Sequence, residues 1–153
     1  MREIKFRAWD KEAGEMIYSD QEYDSCFFEF KEGRLSAFTI LETAEGNLHE
    51  PPHTYSEELD YLDQFTGLFD KNGKEIWEGD ILKMNGGADN IFVEIGFEKG
   101  CFIAKVPWLK DSFPELYRYT FFAELDKDKM FKDCVLTEVI GNIYENPELL
   151  ENE

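Results

Sequence analysis

Phe65 to Ile81 reads Phe-Thr-Gly-Leu-Phe-Asp-Lys-Asn-Gly-Lys-Glu-Ile-Trp-Glu-Gly-Asp-Ile, and no other stretch constrains the fold of this chain so strongly. Two apolar runs flank Asp70-Lys71-Asn72-Gly73, and Asn-Gly between such runs is the strongest short-range β-hairpin signal. Asn72 tolerates a left-handed backbone because its short side chain bonds locally, and Gly73 has no Cβ to clash there. A second breaker pair, Gly79-Asp80, ends the strand around Ile76-Trp77 and starts another at Ile81-Leu82. The segment specifies a β fold without specifying a chemistry.

The remaining pattern is of the same kind. Ile4, Phe6 and Ala8 alternate with Lys5 and Arg7, the two-residue period of a half-buried strand. Asp10 to Gly14 turns that strand and Met16-Ile17-Tyr18 returns as an opening hairpin, before a polar, acidic loop over 19–25. Cys26 to Phe30 and Leu35 to Ile40 form a second pair around Lys31-Glu32-Gly33-Arg34, with Leu35, Ala37 and Thr39 on one face and Phe38 and Ile40 on the other. Glu42 to Tyr55, with Pro51-Pro52, is expected to be a boundary or mobile loop. Ser56 to Leu59 has the chemistry of one capped helical turn; strand pairing of Leu62, Gln64 and Thr66 competes with it and is favoured from Leu62 onward.

Beyond the central hairpin, Asn85 to Asn90 is a glycine-rich loop. Ile91 to Phe97 and Cys101 to Val106 flank Glu98-Lys99-Gly100 as another hairpin. Pro107 to Pro114 makes an excursion, Leu116 to Leu125 is strand-like, and Lys127 to Lys132 is a turn. Val135 to Tyr144 closes the sheet, broken at Gly141-Asn142. Asn146-Pro147-Glu148 then has the order of a helix start, with Asn as cap and Pro at the first position. Short strands at regular spacing, with no helix beyond two turns, predict a mainly β (α+β) protein of small barrels or sandwiches.

Charge narrows the partners. Sixteen basic against 34 acidic residues give −18, and 42% hydrophobic residues with 16% aromatics place the chain among folded proteins. A chain of this length buries roughly 68–70% of its unfolded surface, enough for a core without staples. The acidity is spread: residues 1–64 carry 6 basic and 16 acidic side chains, and residues 65–153 carry 10 and 18. Such a field repels phosphate, so direct nucleic-acid binding and docking on anionic membranes are not expected. A basic protein partner or imitation of nucleic acid stays open; solubility alone is the plainer reason for the charge. Cys26, Cys101 and Cys134 are odd in number and widely spaced, as expected of buried reduced thiols. No apolar leader follows Met1 and no run approaches a membrane span, which points to the cytoplasm.

Three blocks together resemble the YopX-like proteins of bacteriophages and prophages. They are Arg2-Glu3-Ile4-Lys5-Phe6-Arg7-Ala8-Trp9-Asp10, then Gln64 to Leu68 with Asp70 to Ile76 and Glu78 to Ile81, and finally Val139-Ile140-Gly141-Asn142-Ile143-Tyr144-Glu145-Asn146-Pro147-Glu148-Leu149. The resemblance spans nearly the whole chain, although residues 15–60 and 100–135 carry no motif. It implies a β-rich or α+β N-terminal part over 1–61, a small SH3-like β-barrel over 62–150 and a tail at 151–153. It also implies a phage-encoded protein, sometimes oligomeric, with no catalytic residues to transfer. Its signature positions, Trp9, Thr66, Gly67, Asn72, Gly73, Gly79, Asp80, Gly141, Asn142, Tyr144 and Pro147, read as structural: turns, their flanking polar groups and strand hydrophobes.

Chemical motifs fare poorly on physical grounds. His49-Glu50-Pro51-Pro52-His53 matches the zincin pattern, but that motif needs a helix, and two prolines extend the chain. Extended geometry puts the histidine backbones about 12 Å apart instead of about 6 Å, so no metal site is expected. Asp70, Glu78 and Asp80 could be read as a carboxylate cluster for a divalent ion or acid–base work; Asx-turn and cap roles suit them better. The loop 85–90 lacks the Lys-Ser/Thr of a phosphate cradle. Trp77, Trp108, Tyr117 and Tyr119 could form an aromatic platform, but with no basic groove they suit core packing or a protein interface better. The expectation is a non-enzymatic accessory protein without cofactor, acting through protein–protein contact or self-assembly, as a homo-oligomer or on a host or phage protein. The alternatives are an acidic DNA-mimic decoy and, third, a metal-assisted hydrolase or nuclease.

Overall fold

The computed structural model describes residues 3–32, 34–42, 54–59, 61–85, 90–106, 118–120 and 137–151. It is mostly β; the expected β-rich fold is what the chain adopts. The chain divides into two compact units, Lys5–Gln64 on the one hand and Met1–Ile4 with Phe65–Glu153 on the other.

In the Lys5–Gln64 unit, β1 (Phe6–Asp10) pairs antiparallel with β2 (Glu15–Tyr18). Asp10 closes the turn: its Oδ1 accepts the backbone N–H groups of Glu12 and Ala13 at 2.9 Å, and Gly14 takes φ +68°. Alternation alone mis-sorts β1. Ile4 precedes the strand and is exposed, whereas Arg7 is buried beside Ala8. The reason is a cross-strand partner: Arg7 faces Asp63 and its Nε donates to Oδ2 at 3.1 Å, an ion pair sealed from solvent.

β3 (Cys26–Lys31) and β4 (Arg34–Glu42) form the second expected hairpin, and β5 (Thr54–Glu58) adds to the far side of β4. The helical turn expected at Ser56 to Leu59 is therefore corrected to strand. Its cap chemistry loses to ladder bonds, and Leu59 N–H continues them to Ala37 O at 2.8 Å. Thr54 and Tyr55 likewise belong to β5 rather than to the expected loop, of which residues 43–53 lie outside the described residues. β6 (Tyr61–Phe69) follows, and Tyr61 to Gln64 pair with β1.

In the other unit, the later part of β6 forms the central hairpin with β7 (Glu75–Trp77). Its turn is not the two-residue type that Asn-Gly favours. Gly73 alone takes positive φ, +82°, while Asn72 does not, and Asp70 N–H reaches Lys74 O while Gly73 N–H reaches Asp70 O. This is a three-residue loop with its left-handed residue at glycine. A bulge between Phe65 and Leu68 uses Gly67 at φ +84°.

β8 (Asp80–Asn85), β9 (Asn90–Glu98) and β10 (Cys101–Lys105) then meander, flanked by β11 (Arg118–Thr120) beside β10 and β12 (Glu138–Asn142) beside β8. Lys99 and Gly100 both have positive φ, the signature of a tight type I′ hairpin. β12 runs through Gly141-Asn142 rather than breaking there; the glycine absorbs a bulge beside Val139. Ile76, Leu82, Val93, Ile95, Phe102 and Val139 pack into one core cluster. Burying each large aliphatic there contributes about 1.5–3 kcal/mol. Pro147–Leu150 is a single 3₁₀ turn with Pro at its start; Asn146 sits at the cap position without a side-chain cap bond.

Candidate interaction surface

In the Phe65–Glu153 unit the signature positions from Thr66 to Asn142 lie at or beside turns stitched by side chains. Asp70 is 6% exposed, and its Oδ1 accepts the N–H groups of Asn72 at 2.7 Å and Lys74 at 2.8 Å. Its Oδ2 accepts Val139 N–H at 3.1 Å, which ties the hairpin turn to β12. Burial pushes the Asp70 pKa up, but the bonds from Lys74, Val139 and Asn72 outweigh that and hold it below its ordinary value. Beside it, Lys71 N–H reaches Thr137 O and Lys71 Nζ pairs with Glu138 at 2.6 Å. The hydrogen bond and charge of Lys71 lower the pKa of Glu138.

A second stitch joins the block around Gly79 to the end of the chain. Asp80 Oδ2 accepts Trp77 N–H at 2.8 Å and closes the turn over Gly79, which takes φ +77°. Gly79 donates to Ile95 O and accepts from Ile143 N–H. Asp80 lies opposite Asn142, whose Oδ1 accepts Tyr144 and Glu145 N–H at 2.9 Å. A Cβ at Gly141 would collide with the Asn146 side chain. Thr66 is buried; its Oγ1 donates to Ile76 O at 2.6 Å and accepts Leu68 N–H. Asp70, Asp80, Thr66 and Asn142 are thus committed to the chain's own backbone, which leaves their oxygens little to offer a substrate or ion. Among the described residues no group of three or more Asp, Glu, His or Cys side chains could hold a metal ion.

The aromatic candidates separate. Trp77 is 3% exposed and packs on Phe65 with ring centroids 5.3 Å apart, which places its ring in the core. Tyr119 lies in β11 opposite Ala104, whereas Trp108 and Tyr117, like His49 and His53, lie outside the described residues. Trp9 is half-buried on β1. Cys26 and Cys101 are free thiols, half-buried rather than buried: Cys26 Sγ lies 3.7 Å from Thr39 Oγ1 and Cys101 Sγ lies 3.2 Å from Glu98 O. Cys134 lies outside the described residues. Among the described residues no helix is long and apolar enough to cross a membrane.

Sequence reasoning missed the surface that does stand out. β3 ends the order β3-β4-β5, and Phe30 on it is 74% exposed while Phe27 is 40% exposed. Ile40 N–H reaches Ser25 O, which sets the alternation of the ladder. Phe27 and Glu29 therefore turn their backbone groups to β4, and Cys26, Phe28 and Phe30 turn theirs to the side where no described strand lies. Phe27 stacks on Phe38 at 5.2 Å. The signal was present in the sequence: Phe-Phe-Glu-Phe fills both faces of one strand with aromatics, and an edge strand of three cannot bury both. On the opposite edge, Ser56, Glu57 and Glu58 are exposed and polar, the ordinary protection of a strand edge.

A family model described as YopX protein matches residues 5–151. The fold is similar to the crystal structure of protein EF1440 from Enterococcus faecalis, with 26% identity and a TM-score of 0.56, covering 99% of this chain and 100% of that one. The X-ray structure of protein yopX from Bacillus subtilis is similar in fold at the same TM-score, 0.56, with 20% identity and 99% and 100% coverage. No curated protein matches the sequence.

Proposed function

The chain belongs to the YopX family, and on that premise we propose that it is a non-catalytic, phage- or prophage-encoded accessory protein that works by self-assembly in the bacterial cytoplasm. The observation that carries the reading is Phe30, three-quarters exposed on a strand whose outer backbone groups have no described partner. An apolar edge with no neighbour among the described strands is a template for a further strand.

A second copy of the same strand fits that template. Antiparallel pairing about a two-fold at Phe28 sets Phe28 against Phe28 of the second copy, and Phe30 against Cys26 of the second copy. Glu29 then faces Phe27 and Lys31 faces Ser25, so no charge of the strand itself meets its like. Each copy carries −18, so the pairing tightens as salt screens that repulsion. The decoy reading draws no support from the buried acids, since Asp10, Asp63, Asp70 and Asp80 are held inside the fold.

Light scattering behind size exclusion tests the proposal. The expected result is a dimer or larger species at micromolar concentration whose population rises from 50 mM to 500 mM salt, and a monomer for Phe30→Glu, which adds a carboxylate to the edge, with unchanged circular dichroism. A strict monomer for the unmodified chain overturns it.

A further inference from the structure

Where the chain leaves β5 and enters β6, the Lys5–Gln64 unit carries an open cleft of about 150 Å³. We propose that this cleft binds the guanidinium group of an arginine side chain presented by a partner protein, a role that goes beyond self-assembly and uses a different surface.

Two aromatic rings form one wall. Trp9 on β1 and Tyr61 on β6 are directly opposite in the antiparallel ladder, so their side chains stand together on one face. Such π faces attract a cation, indole most strongly. The rim is acidic: Glu12, Glu57 and Glu58 line the cleft against the single ammonium of Lys11. Half-buried Thr39 and Leu59 complete it and give the stem of a long side chain an apolar contact.

The ligand class follows from size and charge. A volume of about 150 Å³ is the space of about five waters, enough for one long side chain and too little for a strand or helix. Residues 5–64 carry 5 basic and 15 acidic side chains, a field that draws cations and repels phosphate and carboxylate ligands. Arginine is favoured over lysine because its planar fork stacks on aromatic rings and can meet carboxylates two bonds at a time. Glu58 is already engaged, since Arg34 Nη2 pairs with its Oε1 at 2.6 Å. That leaves the carboxylates of Glu12 and Glu57, both exposed, for an incoming cation.

The test is an NMR titration of the full, ¹⁵N-labelled chain with acetyl-Gly-Arg-Gly-amide. The same peptide carrying citrulline, which keeps the shape and removes the charge, is the control. The expected result is saturable shifts of the Trp9 indole and the Glu57 and Tyr61 amides. Binding weakens at least about tenfold with citrulline. It weakens comparably in the Glu12→Gln/Glu57→Gln variant, whose melting temperature stays that of the unmodified chain. Equal binding of the citrulline peptide overturns the proposal. So do shifts scattered over the acidic surface that survive the double substitution. Tetramethylammonium saturating the cleft as tightly as the peptide overturns the assignment to a protein side chain. None of these outcomes depends on whether the chain self-associates.

Discussion

The two units solve the problem of holding β-strands together in different ways. In the Phe65–Glu153 unit, Phe65, Ile76, Ile81, Leu82, Val93, Ile95 and Phe102 are all buried, and carboxylate and amide side chains pin the turns to one another. In the Lys5–Gln64 unit the buried hydrophobics among the described residues are Ala8, Ile17 and Ala37, while Phe27, Phe30, Ile40 and Tyr61 stay exposed. An ion pair, Arg7–Asp63, occupies the interior there. The difference separates scaffold from surface. Asp70, Asp80 and Asn142, the polar side chains at the centre of the recurring turns, are buried and bonded to the chain's own backbone, whereas Lys71, Asn72 and Gly73 beside them are exposed. Phe27 and Phe30, the exposed aromatics of the proposed edge, lie in a stretch without a motif.

The largest way to break that contrast is at the ion pair. Asp63→Ala leaves the Arg7 guanidinium buried without its carboxylate, a loss of about 3–5 kcal/mol. Hydrogen exchange is expected to show β1, β2 and the start of β6 opening while β8 to β10 keep their protection. Equal loss of protection in both units would mean that they fold as one, and would remove the comparison.

A smaller effect is expected at Asp70. Its folded-state pKa lies below the ordinary aspartate value, so its contribution is complete above the unfolded pKa, about 3.9, and is lost as pH falls from there through the lowered folded value. Asp70→Asn turns an acceptor oxygen into a donor against backbone N–H groups and is expected to cost about 2 kcal/mol at neutral pH. It also flattens the acid side of the stability profile in the Phe65–Glu153 unit. Urea denaturation at several pH values checks both; an unchanged acid slope would show that the stitch carries no charge-dependent stability.

Much of this was legible in the residues, for reasons that differ by position. Asn72-Gly73, Gly79-Asp80 and Lys99-Gly100 are local devices, so their turns could be read without knowing what lies across the sheet. The type of the central turn could not, because Asp70 gathers Lys74 and Val139 N–H groups and so selects a three-residue loop over the shorter one. Burial of Arg7 was hidden for the same reason: its partner is 56 residues away. Ser56 to Leu59 reads as a capped helical turn because Ser-Glu-Glu carries cap chemistry, and only the pairing of Ser56 to Glu58 with β4 decides against it. The candidate surface lay in plain view as Phe-Phe-Glu-Phe, but which edge of which sheet it occupies is a property of topology.

Mild oxidation of a Phe30→Cys variant tests the central claim most directly, since it asks whether β3 meets a second β3 in the proposed register. Opposed hydrogen-bonded residues of antiparallel strands lie about 5.5 Å apart at Cα, inside the span a disulfide bridges. The account predicts a covalent dimer on a non-reducing gel, linked from the introduced thiol of one copy to the native Cys26 of the other. Dithiothreitol reverses the link, and adding Cys26→Ser abolishes it. A chain that self-associates yet never forms this link, or that forms it equally well without Cys26, would contradict it.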